Sequence, residues 1–216
     1  MKQDSKFLFV VAHPDDEVIT CGGLLGDVGR SSHLLLATNR YDDMELVYER
    51  IKVFKEVVSF VGATYDNLKL EAYKFSHTQT DAIQRIRDIA KDRDIIVTHH
   101  PMDFNRDHAE LSKIVILATR DLPCSVWFMN SYAPERVENF NGTIQYKYSS
   151  SKKKGELIDL YKDVRYNKYF VLCKDSMNSS DGKSYIELYE PYRVSLNYES
   201  FITKFDRADN LSGEDA

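Results

Sequence analysis

The apolar positions of this chain form two kinds of pattern, which alternate along its first 130 residues. Short apolar runs rich in β-formers predict buried strands at Phe7–Val11, His33–Thr38, Asp94–Thr98 and Cys124–Met129. Between them, apolar residues spaced by three or four predict helices at residues 16–29, 44–61, from 80 to 90 and 109–119. Strands that alternate with helices favour parallel pairing with right-handed crossovers. We therefore expect an α/β fold with a mainly parallel sheet flanked by helices.

The pattern is weaker elsewhere in the chain. Residues 63–79 are ambiguous, with a short strand expected near Lys69–Tyr73. Beyond residue 131 the composition shifts to Tyr, Lys, Asn and Ser, and the predicted elements are a helix at Lys152–Val164, a strand at Tyr169–Cys173 and an aromatic segment at Ser184–Leu196. We expect these to form a C-terminal α+β elaboration on a single domain of residues 1–205, followed by a disordered polar tail at 206–216.

Composition excludes several classes of protein. The net charge is −5 and charges of both signs are interspersed, so no basic stripe suits a nucleic acid. No run approaches the roughly 20 apolar residues of a membrane span, and the N-terminal run lacks the features of a signal peptide. Three widely separated cysteines are typical of reduced thiols. We therefore expect a cytoplasmic protein that acts on a small molecule, and the oligomeric state is left open.

Two predicted strand ends carry most of the candidate chemistry. His13, Asp15 and Asp16 follow the first strand, and a cluster from His99 to His108 follows the third. In a parallel sheet these ends share one edge, which is where ligands bind in open α/β folds. His13, Asp16 and His108 would make a two-histidine, one-carboxylate set for Zn²⁺ or another divalent metal, with a position open for water.

Asp15 is the candidate general base, since a carboxylate beside the metal ligands can accept a proton from a water whose pKa the metal has lowered to roughly 7. Two alternatives are structural. The His-Pro-Asp-Asp segment also suits a helix N-cap, with carboxylates at the positive end of the helix dipole. His108 taken alone would be a surface histidine at a helix start. The pairing of two clusters at matching strand ends favours the metal site.

The residues of the first cluster also carry a family resemblance. Ala12–Glu17, AHPDDE, followed by Gly22–Leu25, GGLL, resembles the signature of the PIG-L (LmbE-like) zinc-dependent N-deacetylases. The resemblance implies a Rossmann-like fold, zinc ligands at His13, Asp16 and His108, a general base at Asp15 and a substrate-binding arginine at Arg50. The implied substrate is an N-acetyl amino-sugar conjugate. Residues 186–189 and 152–161 are similar to a C-terminal family segment and the lysine-led helix before it.

One position departs from the family pattern. Asn105 stands in NRDH where the family has a histidine that polarises the acetyl carbonyl. Its amide can donate a hydrogen bond to an oxyanion but cannot transfer a proton. Either Asp15 handles every proton transfer, or His99 or His100 substitutes, or activity is reduced. His99 and His100 are alternatively loop or packing residues. Asp107, also a candidate on the substrate side, alternatively orients a neighbour or caps the helix, and Arg50 is alternatively solvated or ion-paired.

These observations predict a zinc-dependent hydrolase that removes an acetyl group from an N-acetyl amino sugar. One alternative keeps the metal and changes the bond to another amide or an ester. Another is a non-catalytic Rossmann-like module that binds a sugar or nucleotide. A dinucleotide is disfavoured, because the first strand is not followed by G-x-G-x-x-G and carboxylates at that helix start repel a pyrophosphate.

Overall fold

The structure, a computed structural model, describes residues 5–40, 44–129, 144–148, 151–164 and 185–193. Its strands are β1 (Phe7–Val11), β2 (Ser32–Arg40), β3 (Thr64–Glu71), β4 (Ile95–Thr98), β5 (Ser125–Met129), β6 (Ile144–Tyr148) and β7 (Tyr185–Arg193). Its helices are α1 (Asp16–Ile19), α2 (Gly22–Val28), α3 (Met44–Val61), α4 (Thr80–Ala90), α5 (Arg106–Thr119) and α6 (Ser151–Leu160). The predicted strand Tyr169–Cys173 and the tail at 206–216 lie outside the described residues.

One seven-stranded sheet runs through the fold in the order β3-β2-β1-β4-β5-β7-β6. The first five strands pair in parallel, and β7 is antiparallel to both β5 and β6. This confirms the α/β, Rossmann-like prediction. The strand order reverses between β1 and β4, so the two predicted polar clusters lie at the carboxyl ends of neighbouring strands, beside the switch point of the sheet.

The two faces of the sheet pack against different helices. Alternate residues of β1 face opposite sides, with Phe7, Phe9 and Val11 in the core beneath α2, α3 and α6. Leu8 and Val10 belong to the core beneath α4 and α5. Every residue of β1 is fully buried, which is expected of a central parallel strand covered on both faces. The site at its carboxyl end therefore rests on a rigid support.

The helix predicted at residues 16–29 is divided. The Thr20 hydroxyl donates to the Asp16 carbonyl oxygen, and a new helix starts at Gly22 after the break. A 3-10 turn at Gly29–Ser31 ends the segment. A Cβ atom on Gly29 would lie 2.4 Å from the Val61 carbonyl oxygen, so glycine permits α3 to pass close to this turn.

The strand predicted near residues 69–73 begins earlier, at Thr64. It is the edge strand β3, and most of its side chains are exposed or half-buried, so its sequence lacks a clear apolar run. α5 begins at Arg106 rather than at residue 109, because Asn105 caps it. No helix in the described part of the chain is long and apolar enough to cross a membrane.

Candidate active site

Three side chains converge at the carboxyl ends of β1 and β4. His13 Nδ1 lies 3.2 Å from His108 Nε2 and 3.5 Å from Asp16 Oδ2. His108 Nε2 lies 3.4 Å from the same Asp16 oxygen. The turn after β1 supplies His13, α1 supplies Asp16 and the first turn of α5 supplies His108. The structure therefore brings together the three residues predicted to bind a metal.

The spacing of these three atoms fits a tetrahedral metal ion. Ligands about 2.0–2.2 Å from a zinc ion stand about 3.3–3.6 Å apart along each tetrahedral edge. The three separations here are 3.2, 3.4 and 3.5 Å, and all three residues are buried. Two imidazoles and one carboxylate also suit a borderline divalent cation and leave a fourth position open. The donor set and its spacing both fit the predicted metal.

A carboxylate supports each of the two histidine rings from behind. Asp107 Oδ2 lies 3.1 Å from His13 Nε2, and Asp103 Oδ2 lies 3.1 Å from His108 Nδ1. In the neutral, metal-binding form of each ring, the carboxylate would accept the proton on that nitrogen, and the opposite ring nitrogen would be unprotonated and directed at the shared centre. Asp107 also accepts the Tyr73 backbone N–H, at 3.0 and 2.9 Å from its two oxygens. Asp107 therefore contacts a candidate metal ligand from behind, and its predicted roles stay predictions.

Without a metal, the cluster holds protons. Burial alone would lower the pKa of His108, but the charges of Asp16 and Asp103 raise it to about 10. Burial would likewise lower the pKa of His13, but hydrogen bonds to Asp107 and Asp16 raise it. Burial would raise the pKa of Asp16, but His108 and His99 hold it well below its usual range. An anionic Asp16 thus faces protonated imidazole, and a metal would take the place of the protons.

Asp15 occupies a strained position next to these ligands. Its φ of 142° lies in a region that non-glycine residues rarely adopt, and such strain clusters at functional sites. Burial raises the pKa of Asp15, opposed by Arg50, to about 6. A carboxylate with a pKa near 6 is well matched to proton transfer close to neutral pH. The position and pKa of Asp15 fit its predicted role as a base.

Arg50 reaches this site from α3. Its Nη1 group donates to Asp15 Oδ2 at 2.9 Å, and its side chain is only 17% exposed. The buried Nε atom of Arg50 has no hydrogen-bond partner among the described residues. Arg50 was predicted to contact substrate or to be ion-paired, and in this structure it is paired with the candidate base.

The other predicted residues lie around the metal ligands. His99 is buried, stacks on His108 with ring centroids 3.8 Å apart, and accepts the Ala12 N–H through Nε2. His100 accepts the Met102 N–H and contacts Phe128 and Glu190, on β5 and β7. His99 Nε2 also lies 3.3 Å from Asp16 Oδ2, so His99 lies directly against a candidate metal ligand. A role for His99 or His100 on the substrate side stays a prediction.

Asn105 caps α5 through its side-chain oxygen, which accepts the Asp107 N–H at 3.0 Å. This contact uses Oδ1, so the Nδ2 group retains its capacity to donate. The Asn105 backbone N–H donates to Asp103 Oδ1 at 2.8 Å. Asn105 is half-buried, so its side chain lies at the border between the site and solvent.

Two buried carboxyl groups, those of Glu17 and Glu187, contact the backbone beside the site, and the sequence indicated little or no role for them. Glu17 accepts the Asp15 backbone N–H at 3.0 Å and the Tyr161 hydroxyl at 2.7 Å. Burial raises the pKa of Glu17 to about 8. Glu187 accepts the backbone N–H groups of Gly23 and Leu24 and pairs with the buried Lys154. The resemblance of residues 186–189 and 152–161 to family segments was the only signal for that pair.

Comparisons with solved structures find the same fold. The 4-carboxy-2-hydroxymuconate hydratase GalB from Pseudomonas putida KT2440 matches with a TM-score of 0.74 and 16% identity, covering 88% of this chain and 98% of GalB. The N,N'-diacetylchitobiose deacetylase from Pyrococcus horikoshii matches with a TM-score of 0.67 and 15% identity, covering 89% and 87%. A deacetylase of teicoplanin biosynthesis matches with a TM-score of 0.66 and 16% identity, covering 87% and 97%.

No curated protein sequence matches this chain. The sequence model of the family described as PIG-L: GlcNAc-PI de-N-acetylase matches residues 8–119. The matched segment runs from β1 to the end of α5 and contains all three candidate metal ligands together with Asp15 and Arg50. Because the match covers 112 of the 216 residues, the chain belongs to the PIG-L, or GlcNAc-PI de-N-acetylase, family.

Proposed function

We propose that this protein is a zinc-dependent hydrolase that removes the acetyl group from an N-acetyl amino-sugar derivative. The observation that carries the proposal is the triangle of His13 Nδ1, Asp16 Oδ2 and His108 Nε2, with edges of 3.2–3.5 Å, beside the buried carboxyl group of Asp15. One fold supports many reactions, so the argument rests on this site and on the family rather than on the fold.

We assign each residue of the site a separate role in amide hydrolysis. When bound to His13, Asp16 and His108, a zinc ion supplies Lewis acidity and lowers the pKa of coordinated water. Asp15 accepts a proton from the attacking water through a carboxylate oxygen and later returns it to the departing amine. Asn105 can donate from Nδ2 to the developing oxyanion, a contact worth about 3–4 kcal/mol in comparable sites. Arg50 holds Asp15 Oδ2 at 2.9 Å and so keeps that carboxylate in place.

The family and the names of its structural relatives support this substrate class. The family description names a GlcNAc-PI de-N-acetylase, and one structural neighbour is an N,N'-diacetylchitobiose deacetylase. Both names specify an N-acetyl group on an amino sugar.

The first experiment measures acetate release from N-acetylglucosamine, N,N'-diacetylchitobiose and an O-acetyl sugar. The protein is tested as purified, after metal removal by a chelator, and after Zn²⁺ is added back. We expect release from at least one N-acetyl substrate, loss of activity after chelation and recovery with Zn²⁺. Selective cleavage of the O-acetyl sugar would support the alternative bond class. A protein that binds less than half an equivalent of Zn²⁺ and cleaves none of the substrates would refute the proposal.

The second experiment tests the role of Asp15. Asp15→Asn should retain bound zinc, because His13, Asp16 and His108 are unchanged, and should lose at least about 100-fold in kcat as expected for a general base. Asp81→Asn, an exposed change in the first turn of α4, is the matched control and should have no effect. Unchanged turnover in Asp15→Asn would show that another group moves the proton.

A further inference from the structure

We propose that Glu17 and Tyr161 are positioning residues that hold the backbone of Asp15 in its strained conformation. This inference rests on the proposed function of Asp15 as the base. Both residues are fully buried, and their hydrogen bonds lead to Asp15: Glu17 accepts the Asp15 N–H, and Tyr161 donates to Glu17. Their effect on the reaction would therefore pass through Asp15.

The first step concerns rotation about the N–Cα bond of Asp15. This rotation sets the direction of the carboxylate relative to the preceding peptide plane, and φ is 142°. Glu17 Oε2 accepts the Asp15 N–H at 3.0 Å and so fixes that plane. Arg50 Nη1 donates to Asp15 Oδ2 at 2.9 Å and so fixes the side chain. The two contacts lie on opposite sides of the rotating bond, and together they hold the strained angle.

The Asp15 carbonyl group is fixed as well. Its oxygen accepts the backbone N–H groups of Val18 and Ile19, each at 3.0 Å. These are the first hydrogen bonds of α1, so the helix anchors one end of Asp15. The contact from Glu17 anchors the other end. Since Glu17 itself belongs to α1, its side chain needs its own restraint to hold the Asp15 peptide.

Tyr161 supplies that restraint. Its hydroxyl donates to Glu17 Oε1 at 2.7 Å, so both oxygens of the carboxyl group are occupied. Tyr161 follows α6 and lies outside residues 8–119, the part matched by the family model. The C-terminal part of the chain thus contributes a contact two hydrogen bonds away from the candidate base.

Three variants separate positioning from other roles. Glu17→Gln keeps an oxygen that accepts the Asp15 N–H, while Tyr161 can accept from the new amide. Glu17→Ala removes the acceptor altogether, and Tyr161→Phe removes only the hydroxyl that orients it. Glu56→Ala, exposed on α3, and Tyr65→Phe, at the amino end of β3, are matched controls.

For deacetylation of N-acetylglucosamine, we expect Glu17→Ala to lower kcat about 100-fold, since small displacements of a reacting group can cost that much. Tyr161→Phe should lower kcat about 10-fold. In both variants KM and zinc content should stay within about twofold of the wild type, and Glu17→Gln should retain kcat within about threefold. Equal losses in Glu17→Gln and Glu17→Ala would overturn the proposal, because they would assign Glu17 a proton-transfer role. A kcat within twofold of the wild type in Glu17→Ala would overturn it too.

Hydrogen exchange of the Asp15 amide in ¹⁵N-labelled protein tests the same inference without turnover. We expect the amide to exchange about 10- to 100-fold faster in Glu17→Ala than in the wild type, with Glu17→Gln near the wild type. Unchanged exchange in Glu17→Ala would refute the proposal. If the wild type releases no acetate from N-acetylglucosamine, the proposed function fails on that substrate, and the exchange measurement still decides whether Glu17 holds Asp15.

Discussion

The substitution Asp107→Asn tests whether the carboxylate behind His13 raises the Zn²⁺ affinity of the candidate metal site. The Asp107 carboxylate lies behind His13, with Oδ2 3.1 Å from Nε2, and it is fully buried. Asp107→Asn keeps the size of the side chain but replaces one oxygen by an NH₂ group. The Tyr73 N–H, which is part-buried, can donate only to an oxygen, so the remaining amide oxygen should turn toward Tyr73 and the NH₂ group toward His13.

This rearrangement reverses the preferred tautomer of His13. An NH₂ group facing Nε2 requires a lone pair there, which moves the ring proton to Nδ1. Nδ1 is the atom that lies 3.2 Å from His108 Nε2 and 3.5 Å from Asp16 Oδ2, so a proton on it blocks the metal position. Loss of such a supporting carboxylate costs about 10–100-fold in metal affinity. That range corresponds to about 1.4–2.8 kcal/mol.

The assay is a competition titration of metal-free protein with Zn²⁺ against a chromophoric chelator at pH 7. The wild type, Asp107→Asn and the exposed control Asp81→Asn are compared, and thermal unfolding of each metal-free protein reports on its stability. We expect a 10–100-fold weaker Kd in Asp107→Asn alone. A Kd within threefold of the wild type, in a protein that unfolds at an unchanged temperature, would refute the tautomer argument.

Three further predictions test other parts of the structure. Lys154→Met leaves the buried Glu187 carboxylate without its cation and should lower the free energy of unfolding by about 3–5 kcal/mol, measured by urea denaturation. Lys113→Met, at a half-exposed ion pair with Glu110, is the control and should cost less than about 1 kcal/mol; equal costs would contradict the prediction. His13 and His108 hold protons in the metal-free site, since the pKa of His13 is raised and that of His108 is about 10. Zn²⁺ binding should therefore release protons, and its Kd should fall about tenfold per pH unit for each proton released as pH rises from 6 to 8. A Kd independent of pH would refute this prediction. Gly29→Ala should destabilise the protein by about 1–3 kcal/mol, since the new Cβ would meet the Val61 carbonyl oxygen at 2.4 Å. Gly155→Ala, whose new Cβ would have no atom within 4 Å, is the control and should be neutral or slightly stabilising in the same urea assay.

The sequence predicted the central part of the fold because the signals there are local. β1 is a run of five fully buried residues, and α3 carries one apolar stripe, so both patterns reflect burial directly. The topology of the sheet then places the two polar clusters side by side, since parallel strands have their carboxyl ends on one edge. This reasoning was sufficient to bring His13, Asp16 and His108 together across 95 residues of sequence separation.

Elements without a local signal were predicted poorly. β3 is an edge strand whose exposed side chains follow no apolar alternation, so its start was misplaced by five residues, from 69 to 64. The division between α1 and α2 depends on side-chain hydrogen bonds and on contacts with Glu187, which is 164 positions from Gly23. A pattern of apolar positions contains no information about a polar contact at that distance.

The polar side chains that support the site were also difficult to predict from the sequence. A carboxylate such as Asp103 looks like any loop acid until the fold places it 3.1 Å from a histidine nitrogen. Tyr161 and Glu187 are less visible still, because they lie beyond the segment matched by the family model and act through the backbone of Asp15 and of α2. Substitution of the candidate metal ligands alone would therefore miss part of the site. The candidate ligands lie between residues 13 and 108, but the contacts that hold Asp15 and the adjoining helix α2 in place extend to Tyr161 and to β7.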